Sequence, residues 1–246
     1  MNATTFHAAY LVGQPQGPRV PVELAQVYGL LLDHALRPQS ADTLALAGVL
    51  AQAYVEYGRD CLPLLGLDAR STQQALARSF PGVDRALGLD WQLLRGAERK
   101  EPRRAEVDDV VTLLLEHANS DAGLPEHAQV IASAVGCASL GKNHLWQDLL
   151  LPSRRELSAL MQHWFPKLVQ LNHQDMRWKK FLYRQLCLRE EILICRSPSC
   201  SACSDFVNCF GPETGVAVRT WDATKFTGVW PAVLERKALH TAADGG

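Results

Sequence analysis

The sequence has no run of about 18 apolar residues, so no membrane-spanning helix is expected. It has no basic start followed by a long apolar block either, which argues against a secretory signal and makes the cytoplasm the expected compartment. Several chemistries lack their usual marks. There is no Gly-rich phosphate loop, no Gly-x-Ser-x-Gly elbow and no His-Glu-x-x-His pair, so a hydrolytic or nucleotide-driven enzyme is disfavoured. The formal net charge of −1 gives no reason to expect nucleic acid or an anionic membrane as partner. No internal repeat and no series of strands can be found.

What is present suits an ordinary globular protein. The chain of 246 residues is 47% apolar and 21% charged, enough for one substantial core and too apolar for wholesale disorder. Residues 1–20 carry Gly and Pro without a clear period and read as a flexible lead-in. From Pro21 the pattern is helical: Leu24, Val27, Tyr28, Leu31 and Ala35 recur at helical spacing. A second helix is expected from Ser40 or Asp42 to Gly58, with shorter ones over Ser71–Phe80 and Leu87–Leu94. The charged stretch 95–104 is the best boundary between an N-terminal helical region, 21–100, and a second one, 101–212.

Beyond it, Val107, Val110, Val111, Leu114 and Ala118 form an apolar stripe, and another helix covers roughly Pro125–Leu140. Ser153 and Glu156 form a capping box ahead of Leu157, Leu160, Met161 and Trp164, each side chain positioned to take the other's backbone N–H. Pro166 ends or kinks that helix, and Asn172 can cap the next, which carries Met176, Trp178, Phe181, Leu182 and Leu186. Periodicity stops after Ile194. The tail, 213–246, has little pattern beyond a possible extended piece at Val216–Val218. The fold class is therefore all-α, with an irregular cysteine loop near the C-terminus organised by a metal cluster.

That loop carries the chemistry. Seven cysteines in a presumed cytosolic chain argue against a disulfide framework. Four of them, Cys195, Cys200, Cys203 and Cys209, fall in one fifteen-residue window with spacing C-x4-C-x2-C-x5-C. Thiolates are soft ligands that favour zinc, copper(I) or iron–sulfur clusters. Four of them close together without a metal would repel one another. Zinc sites usually use two close pairs, whereas this window has one, and a single wrapped loop suits the wider corners of a cubane. Spacing alone leaves zinc and cluster both open. Cys187, Cys61 and Cys137 read as small buried hydrophobes, and Trp146, Trp164 and Trp178 as core anchors.

Two further features stand beside the loop. His144 and Asp148 are four apart and would share a helix face; His144 is a candidate metal ligand, and Asp148 a candidate acceptor for its imidazole. Nine Lys or Arg against four Asp or Glu lie between Ser153 and Arg196, with Arg177, Lys180 and Arg184 on one helix face. Such a face either keeps the helix soluble, attracts an anion, or docks on an acidic partner. Among the remaining histidines, His173 abuts this helix, while His117 and His163 have no assigned role.

Three blocks together resemble the NifQ family of nitrogen fixation: the cysteine loop with Pro198 and Phe210-Gly211, the His144–Asp148 block, and the Asp175–Phe181 block. The resemblance covers roughly residues 105–212. It implies a metal carrier and not an enzyme, bearing an iron–sulfur cluster (molybdenum–iron–sulfur or [4Fe–4S]) and donating molybdenum for the nitrogenase iron–molybdenum cofactor. It further implies the cofactor scaffold complex, the nitrogenase iron protein, and molybdate or a molybdenum donor as partners. The residues by themselves also allow a [4Fe–4S] electron-transfer protein or a zinc-organised interaction module. Three departures from the family pattern stand out: Leu150 and Glu191 occupy positions where glycine is expected, and Phe206 replaces a usual tyrosine.

Overall fold

The computed structural model of the chain describes residues 22–58, 62, 64–94, 101–191, 200 and 203–213. Expectations for the lead-in, Cys61, most of the charged stretch 95–104, Cys195 and the tail beyond Glu213 lie outside them. Among the described residues every regular element is a helix, so the all-α expectation holds. No helix among them is long and apolar enough to cross a membrane.

The first two helices, α1 (Val22–Asp33) and α2 (Ala41–Tyr57), follow the expected spans, with Ser40 at the N-cap of α2. Helix α2 is buried from Ala45 to Ala51 with no polar face between, the mark of a helix surrounded by protein. Helix α3 (Ala69–Ser79) begins two residues before the expected start because Asp68 caps it, its carboxylate accepting from the Ser71 N–H at 2.6 Å. The helix expected over Leu87–Leu94 is instead two short ones, α4 (Val83–Ala86) and α5 (Trp91–Leu94), split at Gly88, whose φ is +63°.

Helix α6 (Arg104–Glu116) carries the apolar stripe, and α7 (Pro125–Ser139) is the centre of the molecule. Helices α2, α3 and α6 all pack on α7. Its run from Val130 to Gly136 is buried throughout and dominated by small residues, which lets neighbours approach. The buried hydroxyls of Ser133 and Ser139 donate to the Gln129 and Val135 carbonyls, so they need no partner from outside the helix.

Helix α8 (Leu145–Asp148) is one turn, packed on α7 and on α9 (Arg154–Trp164). The Ser153–Glu156 capping box forms differently from expectation. Ser153 Oγ accepts from the Arg155 N–H at 3.1 Å, and the Glu156 carboxylate takes the Ser153 hydroxyl instead of its backbone N–H. Pro166 does end α9, and it opens α10 (Pro166–Leu171) as a first-turn proline.

Asn172 does not cap the following helix. It closes α10, and its side chain brackets Met176, donating to the Met176 carbonyl and accepting from its N–H, both at 2.9 Å. That loop delivers the chain to α11 (Trp178–Arg189), whose N-cap is Arg177. The last helix among the described residues, α12 (Phe206–Phe210), lies inside the segment expected to be irregular. Its two aromatic ends stack at 4.6 Å, an i,i+4 pair that favours the single turn. One hydrophobic cluster, running from Tyr28 to Leu182, draws on α1 through α11. Trp146, Trp164 and Trp178 are buried in it, as expected of core anchors. Cys137 packs against this core only partly buried, and Cys187 is likewise partly buried.

Candidate metal and anion site

The turn from Gly141 to Asp148 wraps its own last carboxylate. Asp148 is only 7% exposed, and its oxygens accept from the Asn143 backbone N–H at 3.0 Å and the Asn143 side-chain amide at 2.9 Å. The closeness explains the glycine: a Cβ on Gly141 would stand 2.3 Å from Asp148 Oδ2. The remaining charge is met by Lys179, whose ammonium bonds Asp148 Oδ2 and donates to the Gly141 carbonyl at 2.9 Å. Burial pushes the Lys179 pKa down, and the Asp148 carboxylate opposes that shift. Asp148 is therefore the anchor of Lys179 and not the acceptor of the His144 imidazole. Helix α2 completes the support, with Gln52 Nε2 donating to the Asp148 carbonyl at 2.7 Å.

His144 sits at the N-cap of α8, and its backbone N–H is accepted by the Gln147 side chain at 3.1 Å. Its imidazole faces Glu213, with Nδ1 at 3.9 Å from Oε1. The same Glu213 oxygen lies 3.7 Å from Arg154, which is in turn held by Asp175 at 2.6 Å.

Arg177 ties the cysteine segment to this place. Its backbone N–H donates to the Cys209 carbonyl at 2.8 Å. Its guanidinium donates to the carbonyls of Gly211 at 3.2 Å and of Asn208 and Pro212 at 3.3 Å. Four carbonyls at the end of α12 thus meet one residue at the start of α11, which offsets their partial negative charge.

Between these elements lies a cavity of about 540 Å³. Its wall carries five Lys or Arg, namely Arg103, Lys142, Arg177, Lys179 and Lys180, against one acid, Glu213. Arg103 is committed to Glu106 by paired bonds of 2.6 and 2.7 Å. Those bonds hold the Glu106 carboxyl below its usual range, and the Tyr183 hydroxyl, which also donates to it, is pushed up by burial and by that carboxylate. Lys142 and Lys180 have no ion-pair partner among the described residues, so the cavity remains net positive. Of the basic face expected on α11, Arg177 and Lys180 line the cavity while Arg184 does not. Lys179, which the sequence reading did not single out, turns inward.

Cys200, Cys203 and Cys209 are partly exposed, and none is in a disulfide. Two successive turns, Cys203 N–H to the Cys200 carbonyl at 3.2 Å and Phe206 N–H to the Cys203 carbonyl at 3.1 Å, lead into α12 and Cys209. The donor types suit a thiophilic metal. Among the described residues, however, no three His, Cys, Asp or Glu side chains gather as around one metal ion. Cys195 lies outside those residues. The group that sequence reasoning missed is Glu213. Its side chain is 3% exposed, and Oε2 is buried without a hydrogen-bond partner among the described residues. The one signal available was an acid directly after Phe210-Gly211-Pro212.

A segment of cysteines beside a net positive cavity offers donor types for soft metals and a place for an anion. The sequence profile of the NifQ family matches residues 12–211, and the chain belongs to that family. The match starts well before the motif blocks, in keeping with the support α2 gives to the Asp148 turn. The chain is 41% identical to Protein NifQ of Azotobacter vinelandii over 164 residues, 63% of this chain and 82% of that protein. It is 43% identical to Protein NifQ of Klebsiella pneumoniae over 157 residues, 62% and 90% of the two chains. Against Protein NifQ of Rhodobacter capsulatus it is 36% identical over 172 residues, 69% and 89%. No solved structure matches the chain. The family places the protein in nitrogenase cofactor biosynthesis and molybdenum processing.

Proposed function

We propose that the protein carries a molybdenum–iron–sulfur cluster on Cys195, Cys200, Cys203 and Cys209, and delivers molybdenum for assembly of the nitrogenase iron–molybdenum cofactor. The observation that carries this reading is the meeting of three separate sequence blocks at one basic cavity. His144–Asp148, Arg177–Lys180 and the stretch after Cys209 all contribute to its wall. A cluster with thiolate ligands is net negative, and so is molybdate. Uncompensated lysines beside the cysteine segment lower the cost of holding either one. The protein acts as an assembly factor in the cytoplasm, handing its cargo to the cofactor scaffold complex with the nitrogenase iron protein. Molybdate or a molybdenum donor supplies the metal.

Elemental analysis and paramagnetic resonance on protein isolated without oxygen test the reading. Iron, sulfide and molybdenum together support it. Iron alone with reversible redox cycling points to an electron-transfer protein, and one zinc per chain without iron to a zinc-organised module. Either result overturns the carrier role.

A further inference from the structure

Thiolates are matched to iron, but they are poor partners for an oxidised, hard metal centre, which prefers oxygen and nitrogen. A molybdenum corner of a cubane therefore needs donors that the cysteines do not supply. We propose that Glu213 and His144 are those donors, supplying the oxygen and nitrogen ligands of molybdenum at the edge of the cavity. The assignment rests on the carrier reading above.

The geometry singles out Glu213. Its carboxylate is almost wholly buried, yet only one oxygen is engaged: Oε1 faces Arg154 at 3.7 Å and His144 Nδ1 at 3.9 Å. Oε2 is buried and lacks a partner among the described residues. A buried carboxylate oxygen without a hydrogen bond is rare, and a missing ion or water is one of its few explanations. The imidazole of His144 faces the same carboxylate, which puts a nitrogen and an oxygen donor type at one place. Arg154, pinned by Asp175, fixes the carboxylate by one oxygen and leaves the other for the metal.

Position adds a second argument. Glu213 follows Cys209 by four residues, and the intervening carbonyls of Cys209, Gly211 and Pro212 are held by Arg177. The same clamp thus sets the distance between the last cysteine and the carboxylate. In this assignment the cysteine sulfurs take the iron corners and the N/O pair takes the molybdenum corner of one cluster.

The test uses the full chain, reconstituted without oxygen with ferrous iron, sulfide, molybdate and dithionite as reductant, as wild type and as Glu213→Gln and His144→Gln. Iron, sulfide and molybdenum are counted before and after a molybdenum chelator, and the molybdenum X-ray absorption edge is recorded. The expected result is unchanged iron and sulfide in both variants. Molybdenum retention should fall by more than about tenfold, since losing even an outer group that orients a ligand costs about 10–100-fold in metal affinity. The nitrogen/oxygen shell around molybdenum should also shrink. Full molybdenum with a wild-type edge in Glu213→Gln overturns the assignment and leaves the carrier reading standing. Loss of iron together with molybdenum also overturns it, since Glu213 would then support the cysteine segment generally. Wild-type protein that binds iron but never molybdenum overturns the carrier reading and this inference with it.

Discussion

Lys179 reaches 31 residues back along the chain to place its ammonium on the buried carboxylate of Asp148. The pair joins the Gly141–Asp148 turn to the first turn of α11 and so frames the cavity. Removing one partner of a buried pair is costlier than removing both, because a lone charge remains. Lys179→Met should therefore destabilise the protein by about 3 kcal/mol in urea unfolding, at the lower end of that class because Asn143 still bonds the carboxylate. Adding Asp148→Asn should recover part of the loss. A double variant no more stable than Lys179→Met alone would show that the ion pair is not what Lys179 contributes.

Arg177 controls the cysteine segment and not the core. Its side chain is partly exposed and spends its bonds on the carbonyls of Asn208, Gly211 and Pro212. Hydrogen bonds to a charged group are worth about 1.5–3 kcal/mol each when well formed, and these are long. Arg177→Ala should release α12 locally while the helical body stays folded. Amide exchange in residues 203–213 should accelerate by at least about tenfold, which is about 1.4 kcal/mol of lost protection. The amides of α7 should keep their protection. Equal acceleration in both places would mean that the clamp holds up the whole fold.

The helices and their order were legible because buried faces repeat with the helical period. The central α7 and the Ser153 start of α9 both carry it. What the period cannot show is which polar residues meet across long stretches of chain. Asp148 stands four residues after His144 and looks like its partner, yet the ammonium of Lys179 competes for the carboxylate and wins on charge. Asn172 has the residue type of an N-cap, but its side chain has better partners in both backbone groups of Met176. Glu213 sat in sequence without pattern, and its burial depends on Arg154 and His144, both more than fifty residues away.

Acid should weaken the Arg103–Glu106–Tyr183 cluster in a defined direction. The guanidinium bonds of Arg103 hold the Glu106 carboxyl below its ordinary value of 4.5. A carboxylate with a lowered folded pKa stabilises the fold above its unfolded value, and that contribution is lost as pH falls through the folded value. Thermal melts of the wild type should therefore drop below about pH 4.5 more steeply than those of Glu106→Gln, whose amide does not titrate in this range. Parallel curves for the two proteins would remove Glu106 from the acid response.

Leu150 and Glu191 both have left-handed backbone, the conformation that favours glycine, with φ of +52° and +55°. For an L-residue that conformation costs roughly 1–2 kcal/mol. The two should nevertheless respond oppositely to glycine. Leu150 is 5% exposed, and a buried leucine side chain contributes about 1.5–3 kcal/mol by leaving water, with a further cavity penalty when deleted. Strain relief cannot offset both terms, so Leu150→Gly should destabilise by about 2 kcal/mol. Glu191 is exposed and has no packing to lose. Against its strain stands only the greater unfolded-state freedom of glycine, about 0.4–1 kcal/mol. Glu191→Gly should stabilise the protein by up to about 1 kcal/mol in chemical unfolding. Helix α2 adds a check on the first site: a Cβ on Gly48 would lie 2.3 Å from the Leu149 carbonyl oxygen. Gly48→Ala should therefore destabilise at least as much as Leu150→Gly, by forcing that turn off the helix, whereas a neutral Gly48→Ala would mean that the turn moves freely and that Leu150 is not held in its left-handed conformation by packing.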